Sequence, residues 1–195
     1  MKAKSHSLKA GILEGIRVLD LSRMLSGPYA TMLLADHGAE VIKIENADGD
    51  SSRRSGPFKE YDLKRNWSGY FISLNRNKKS ISLNLKKKDD VDFLKKLIEG
   101  VDVLVENFRP GVMERLGLDP EICLDRNEKI VYGRMTGWGQ SGPMAHAAGH
   151  DINYIALAGA LHAIGRKGEK PVLAFSGGAR VPGEDTLTVP RRLWV

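Results

Sequence analysis

Among the five histidines of the 195-residue chain, His150 has the setting best suited to proton transfer. It follows Ala147-Ala148-Gly149, opens an apolar stretch with helical spacing, and has Asp151 beside it. A histidine at a helix start feels the positive end of the backbone dipole, which favours the neutral imidazole. A neutral imidazole accepts a proton, so His150 is a candidate general base. The competing role is structural, a capping residue that only bonds the backbone, and local sequence leaves both open.

Two further clusters have the chemistry of anion binding. Asn107-Phe108-Arg109-Pro110-Gly111 directly follows an apolar run, and Asn with Arg at a strand end can hold a phosphate or a carbonyl while Pro-Gly shapes the turn. Asn75-Arg76-Asn77-Lys78-Lys79-Ser80 supplies three more cations. Together they are a candidate phosphate cradle; the alternative is two turns with exposed charge. The other histidines are weaker candidates. His162 lies within the expected helix, His37 ends one, and His146 has no partner pattern. No His and carboxylate set has metal-ligand spacing, so no metal is expected. No GxSxG elbow is present, and Cys123 sits in a short helix without an adjacent base.

The elements that must carry these residues follow from alternating β-branched runs and helical stretches. Strands are expected over 16–21, 40–45, 80–85, 101–106 and 129–134. Helices are expected over 28–37, closed by Gly38, over 89–99, closed by Gly100, and over 151–164. Asp119-Pro120-Glu121 opens another short one, Asp as cap and Pro in the first turn. Residues 46–70 read as a long polar loop, and 136–149 as a glycine-rich one. Alternation at this spacing predicts an α/β fold, a Rossmann-like parallel sheet with helices on both faces. Ligands in such sheets sit beyond the carboxyl ends of the strands, which points at loops 22–27, 46–70, 107–111 and 135–150. Neither GxGxxG nor a phosphate-loop lysine motif follows a strand, so a standard dinucleotide or nucleoside-triphosphate site is not expected.

Composition narrows the class. The chain is 42% hydrophobic and 28% charged, which is globular rather than disordered. A single cysteine excludes an internal disulfide framework. No apolar run nears the ~18 residues of a membrane span, and the basic start has no apolar leader core, so a cytoplasmic protein without membrane contact is expected. The net charge of +6 is concentrated between Lys64 and Lys96. That excess reads either as an anion site or as a solvated helix face. Nucleic acid is not the expected partner, because the chain carries no recognised nucleic-acid-binding motif.

Several strings resemble the family III CoA-transferase fold family, and within it the α-methylacyl-CoA racemase branch. They are Leu13-Glu14-Gly15-Ile16-Arg17-Val18-Leu19-Asp20-Leu21-Ser22, Gly27-Pro28, and Leu34-Ala35-Asp36-His37-Gly38-Ala39-Glu40-Val41-Ile42-Lys43-Ile44-Glu45. The 75–80 and 106–112 segments match as well. The sharpest match is Thr136-Gly137-Trp138-Gly139-Gln140, followed by Ala148-Gly149-His150-Asp151-Ile152-Asn153-Tyr154 and Ala163-Ile164-Gly165-Arg166. The Gly-His-Asp-Ile-Asn-Tyr string resembles the racemases rather than the transferases.

The resemblance implies an isomerase that epimerises C2 of 2-methylacyl-CoA thioesters by removing and returning a proton. It makes His150 one proton carrier and Asp151 its orienting helper. It puts Arg76, Lys79, Lys86, Asn107 and Arg109 near the CoA phosphates and adenosine, and Gly149, Asn153 and Tyr154 along the thioester pocket. It implies no cofactor beyond the CoA carried by the substrate, and interlocked homodimers as the family's assembly. The alternatives are a family III CoA transferase and a non-catalytic CoA-binding fragment.

The departures are as specific. Family members are roughly twice this long, and they carry a second acid, an Asp in a Gly-rich segment beyond the matched histidine. Here that region reads Gly177-Gly178-Ala179-Arg180-Val181-Pro182. The match fades near residue 173. The expected organisation is therefore a basic arm over 1–12, a partial large domain of the CoA-transferase fold over 13–172, and a divergent tail over 173–195, with the small domain absent. A chain truncated in this way is expected to be weakly active or inactive.

Overall fold

A computed structural model of the chain describes residues 11–60, 62–64, 66–165 and 168–169. Apart from residues 11 and 12, the expected amino-terminal arm lies outside the described residues, and so does the expected tail. The chain divides into two compact units, Met1–Thr136 and Gly137–Val195.

The first unit is built on five strands: β1 (Arg17–Asp20), β2 (Glu40–Glu45), β3 (Lys78–Ser82), β4 (Val103–Glu106) and β5 (Val131–Arg134). All pair in parallel, in the order β3-β2-β1-β4-β5. Side chains alternate across the sheet, and the register keeps like with like. Val18 pairs with Val41 and Val103 on one face; Leu19 pairs with Ile42 and Leu104 on the other. Each face therefore has its own core. Val18, Val41, Ala35 and Ala39 form one, with Val103 and Val105 packed against it. Leu19, Ile44 and Leu104 form the other with Leu94, Ile98, Met113, Leu118 and Cys123.

The helices behind those cores are set by local signals. α1 (Ser26–Asp36) has Pro28 in its first turn. It closes where Gly38 takes φ 103°, the Gly38 N–H bonds the Ala35 carbonyl at 3.0 Å and the Ala39 N–H bonds the Leu34 carbonyl at 3.1 Å. Only a residue without Cβ takes that turn freely, and a Cβ there would also meet Gly11 Cα at 2.9 Å. α3 (Lys88–Ile98) has Asp89 and Asp90 in its first turn and Lys95 and Lys96 in its last, each favourable to the helix dipole. α5 (Pro120–Arg126) is capped by Asp119, whose carboxylate accepts from the Ile122 N–H at 3.1 Å.

Four elements differ from expectation. β3 begins at Lys78 rather than Ser80, because an edge strand needs no apolar run and its ladder runs Lys78–Ser82 against Val41–Glu45. α2 (Gly69–Asn75), capped by Ser68, and α4 (Val112–Arg115) are too short for helical periodicity to register. In the second unit, the helix expected over 151–164 ends early. α6 covers Asp151–Leu157, Gly159 turns the chain at φ 80°, and a single 3-10 turn follows at Ala160–Ala163. No helix among the described residues is long and apolar enough to cross a membrane.

Candidate active site

The strand order reverses between β1 and β4, so their exits diverge and leave a crevice beyond the carboxyl ends. A cavity of about 750 Å³ occupies that position. Leu21 and Arg23 line it from the β1 exit, residues 44–50 from β2, Leu83 to Lys86 from β3, and Asn107 to Arg109 from β4. Val112 and Leu116 complete an apolar wall with Phe108 and Leu85.

A buried polar framework holds these loops in place. The Asp20 carboxylate accepts from the Ser22 N–H at 3.0 Å, from the Thr31 hydroxyl at 2.6 Å and from the Lys78 ammonium at 2.9 Å. Lys43 donates to the Ser22 carbonyl at 2.8 Å and lies 3.1 Å from the Asp50 carboxylate. Asp50 in turn accepts from the Ser52 N–H at 2.9 Å. These groups are buried, so each needs its partners; an unpaired one would cost several kcal/mol, on the order of 3. Burial pulls the Lys78 amine below its usual range, and the facing Asp20 carboxylate opposes that.

Two carboxylates at strand ends complete the frame. Burial would raise the Glu45 carboxyl, but the Arg53 fork, at 2.6 and 2.7 Å, the Ser80 hydroxyl and the Asp50 N–H hold it down at about 2. Arg53 is itself stacked on Phe71 and Trp67, 3.8 and 4.8 Å from the ring centres. Glu106, fully buried, accepts from the Phe108 N–H at 2.7 Å and from Arg134 at 2.9 Å. There burial prevails and raises the carboxyl, against the pull of those bonds.

The cavity brings together three of the residues expected near CoA: Lys86, Asn107 and Arg109. It does not include Arg76 or Lys79. Arg76 pairs with Asp36, and Lys79 with Glu40. The physical reason is direction: in a parallel sheet the entry to β3 and the exit of β4 are at opposite ends. Arg23 and Lys43 are the lining cations that the sequence pattern did not single out; Lys43 is buried against Asp50, whereas Arg23 is exposed. Its signal was position alone, one residue past Ser22 in the loop leaving β1.

In the second unit, His150 stands exposed immediately before α6. Its N–H donates to the Asn153 side-chain oxygen at 2.9 Å, so Asn153 braces the helix start. Asp151 is the first residue of α6 and is exposed. Tyr154 packs edge-on against Trp138, ring centres 5.0 Å apart. Its hydroxyl end lies where a Cβ on Gly137 or Gly149 would be, at 2.1 and 2.5 Å. Both glycines are therefore needed for this ring to reach its place.

A parallel sheet of this order, with a cationic, part-apolar cavity at its switch point, is an α/β fold of the kind that holds ligands beyond its strand ends. The chain belongs to CoA-transferase family III, whose family model matches residues 13–179. It is 42% identical over 182 residues to an acyl-CoA transferase of Fusarium pseudograminearum, a match covering 89% of this chain and 39% of that protein. It is 45% identical over 161 residues to the succinyl-CoA:glutarate CoA-transferase of Mus musculus, covering 82% and 36%. With the α-methylacyl-CoA racemase of Homo sapiens it shares 43% over 159 residues, covering 82% and 37%. The crystal structure of a CAIB/BAIF family protein from Brucella suis superposes with a TM-score of 0.79 at 32% identity, covering 85% of this chain and 44% of that one. A hypothetical protein from Mycobacterium tuberculosis gives 0.73 at 36%, covering 84% and 44%. The chain thus spans under two fifths of the curated relatives named here. Those relatives are enzymes of two kinds, racemases and CoA-transferases, both acting on CoA thioesters.

Proposed function

We propose that the cavity at the strand tips takes the CoA portion of an acyl-CoA thioester, and that the enzyme epimerises C2 of 2-methylacyl-CoA substrates. The observation that carries this reading is the lining itself. Arg23, Lys86 and Arg109 have no ion-pair partner among the described residues, and they share the cavity with Phe108, Leu83, Leu85 and Leu116. That combination suits a ligand that is polyanionic at one end and uncharged along its arm.

In this reading the thioester carbonyl acidifies the proton on C2. The His150 imidazole takes that proton, and the C–H electron pair moves into the carbonyl to give an enolate-like intermediate. A proton returned from the opposite face completes the inversion. The resemblance assigns that second step to an Asp in a Gly-rich segment; position 180 of this chain, Arg180, falls outside the described residues. The reaction needs no cofactor other than the CoA that the substrate carries.

The second reading is a CoA transfer between carboxylic acids, favoured by the 45% identity to a transferase against 43% to a racemase. One pair of assays separates them. The chain is incubated with a 2-methylacyl-CoA in deuterated water, and separately with an acyl-CoA and a free dicarboxylate. Deuterium at C2 that is lost in His150→Gln supports the racemase reading. New acyl-CoA without C2 exchange overturns it in favour of transfer. CoA binding with neither reaction leaves a CoA-binding chain that has no turnover of its own.

A further inference from the structure

The loop leaving β4 grips the loop leaving β1 through a single side chain. Asn107 Oδ1 accepts from the Arg23 N–H at 2.9 Å, and Asn107 Nδ2 donates to the Arg23 carbonyl at 2.8 Å. Both main-chain polar groups of Arg23 are thereby tied to one carboxamide from a residue 84 positions away. The following residue, Met24, takes φ 70°, a conformation that a residue with a side chain adopts only when its surroundings hold it. The neighbour of the clamp then serves the side chain. The Arg23 guanidinium carbon lies 5.1 Å from the centre of the Phe108 ring. Phe108 is itself fixed by its N–H bond to buried Glu106 at 2.7 Å.

A guanidinium held over an aromatic face keeps the N–H edges in its own plane free. Those edges match two oxygens of a phosphate, and stacking reduces the side-chain freedom lost on binding. Arg23 is exposed, lines the cavity and has no carboxylate partner among the described residues. Asn107, expected from the sequence to touch the ligand, spends a donor and an acceptor on the Arg23 main chain instead.

We propose that Arg23 is a phosphate-binding residue of this cavity and that Asn107 is the residue that positions it. The proposal deepens the CoA reading and rests on it. The phosphate is either in the pyrophosphate bridge or at the 3′ position of the ribose, and dephospho-CoA tells the two apart.

The test is calorimetric titration of the full chain with CoA, dephospho-CoA and pantetheine. Arg23→Ala is expected to weaken CoA binding about tenfold to a hundredfold, as for a lost hydrogen bond to a charged group, and to leave pantetheine binding unchanged. Equal losses with CoA and dephospho-CoA place the contact at the pyrophosphate; a loss with CoA alone places it at the 3′-phosphate. Asn107→Ala is expected to weaken CoA binding in the wild-type background and to add little in the Arg23→Ala background. Independent, multiplying losses would overturn the positioning role. If Asn107→Ala does not fold, Asn107→Asp keeps the acceptor for the Arg23 N–H and serves in its place. Arg23→Ala binding CoA as well as wild type, while Lys86→Ala is weakened, overturns the proposal and leaves the cavity reading intact. Wild-type chain that binds CoA no better than pantetheine overturns both.

Discussion

Lys43 and Asp50 face each other at 3.1 Å with both side chains fully buried, at the wall of the cavity on the carboxyl side of the sheet. The pair joins the end of β2 to the loop that follows it, and through the Ser22 carbonyl it reaches the β1 exit as well. Removing one partner of such a pair strands a charge in the interior. Lys43→Met is therefore expected to destabilise the chain by about 3–5 kcal/mol in denaturant unfolding. The double variant Lys43→Met with Asp50→Leu is expected to recover part of that loss, since no buried charge remains unpaired. Equal stability of Lys43→Met and wild type would mean the pair is not buried as described.

Glu45 sets an acid-side stability window. Its carboxyl is held at about 2 in the fold against an ordinary value of 4.5, so ionised Glu45 stabilises the fold fully above about pH 4.5. That contribution, about 3 kcal/mol, is lost as pH falls from there towards 2. Glu106 acts in the opposite sense, because its raised carboxyl favours the fold when protonated, and that benefit fades as pH rises past the ordinary value. Comparing variants isolates the first effect. Urea unfolding between pH 6 and 3 should show a steep loss for wild type and a shallower one for Glu45→Gln.

Cys123 is fully buried, and burial pushes its thiol up to about 11. Little thiolate exists at pH 8, and what exists is shielded. An aromatic disulfide reagent is expected to leave it unmodified in the native chain and to react at once in denaturant. Rapid native labelling would contradict the packing of α5 on the sheet.

Gly149 and Gly137 make room for Tyr154. In Gly149→Ala the new methyl would lie 2.5 Å from the Tyr154 hydroxyl and 2.8 Å from its ring, so the ring must move off Trp138. Overpacking of this kind costs about 1–3 kcal/mol locally. Near-ultraviolet circular dichroism should lose the signal of the Trp138–Tyr154 pair while the far-ultraviolet spectrum, dominated by the first unit, is unchanged.

Much of the fold was legible because its signals are local. The β-branched runs of β1, β2 and β4, the Gly38 stop and the Asp119-Pro120 start each act within a few residues. The edge strand was harder: Lys78, Lys79 and Ser80 do not look like a strand, and only pairing with Val41, Ile42 and Lys43 makes them one. The site divided along the same line. Asn107 and Arg109 follow a strand at its carboxyl end, and sequence order sufficed to mark their loop; Lys86 was grouped with them by the family resemblance. Arg76 precedes its strand, and its charge is taken by Asp36 from the end of α1, forty residues away. Arg23 acquires its meaning from Asn107 and Phe108, a relation that no local pattern carries.

The central claim is that CoA sits at the carboxyl ends of the strands, and amide hydrogen–deuterium exchange with and without CoA tests it most directly. The account predicts that CoA slows exchange in four segments, 21–25, 46–50, 83–87 and 107–111, and leaves 76–79 at the opposite end of the sheet unaffected. Slowing centred on 76–79, with those four segments unchanged, would contradict it.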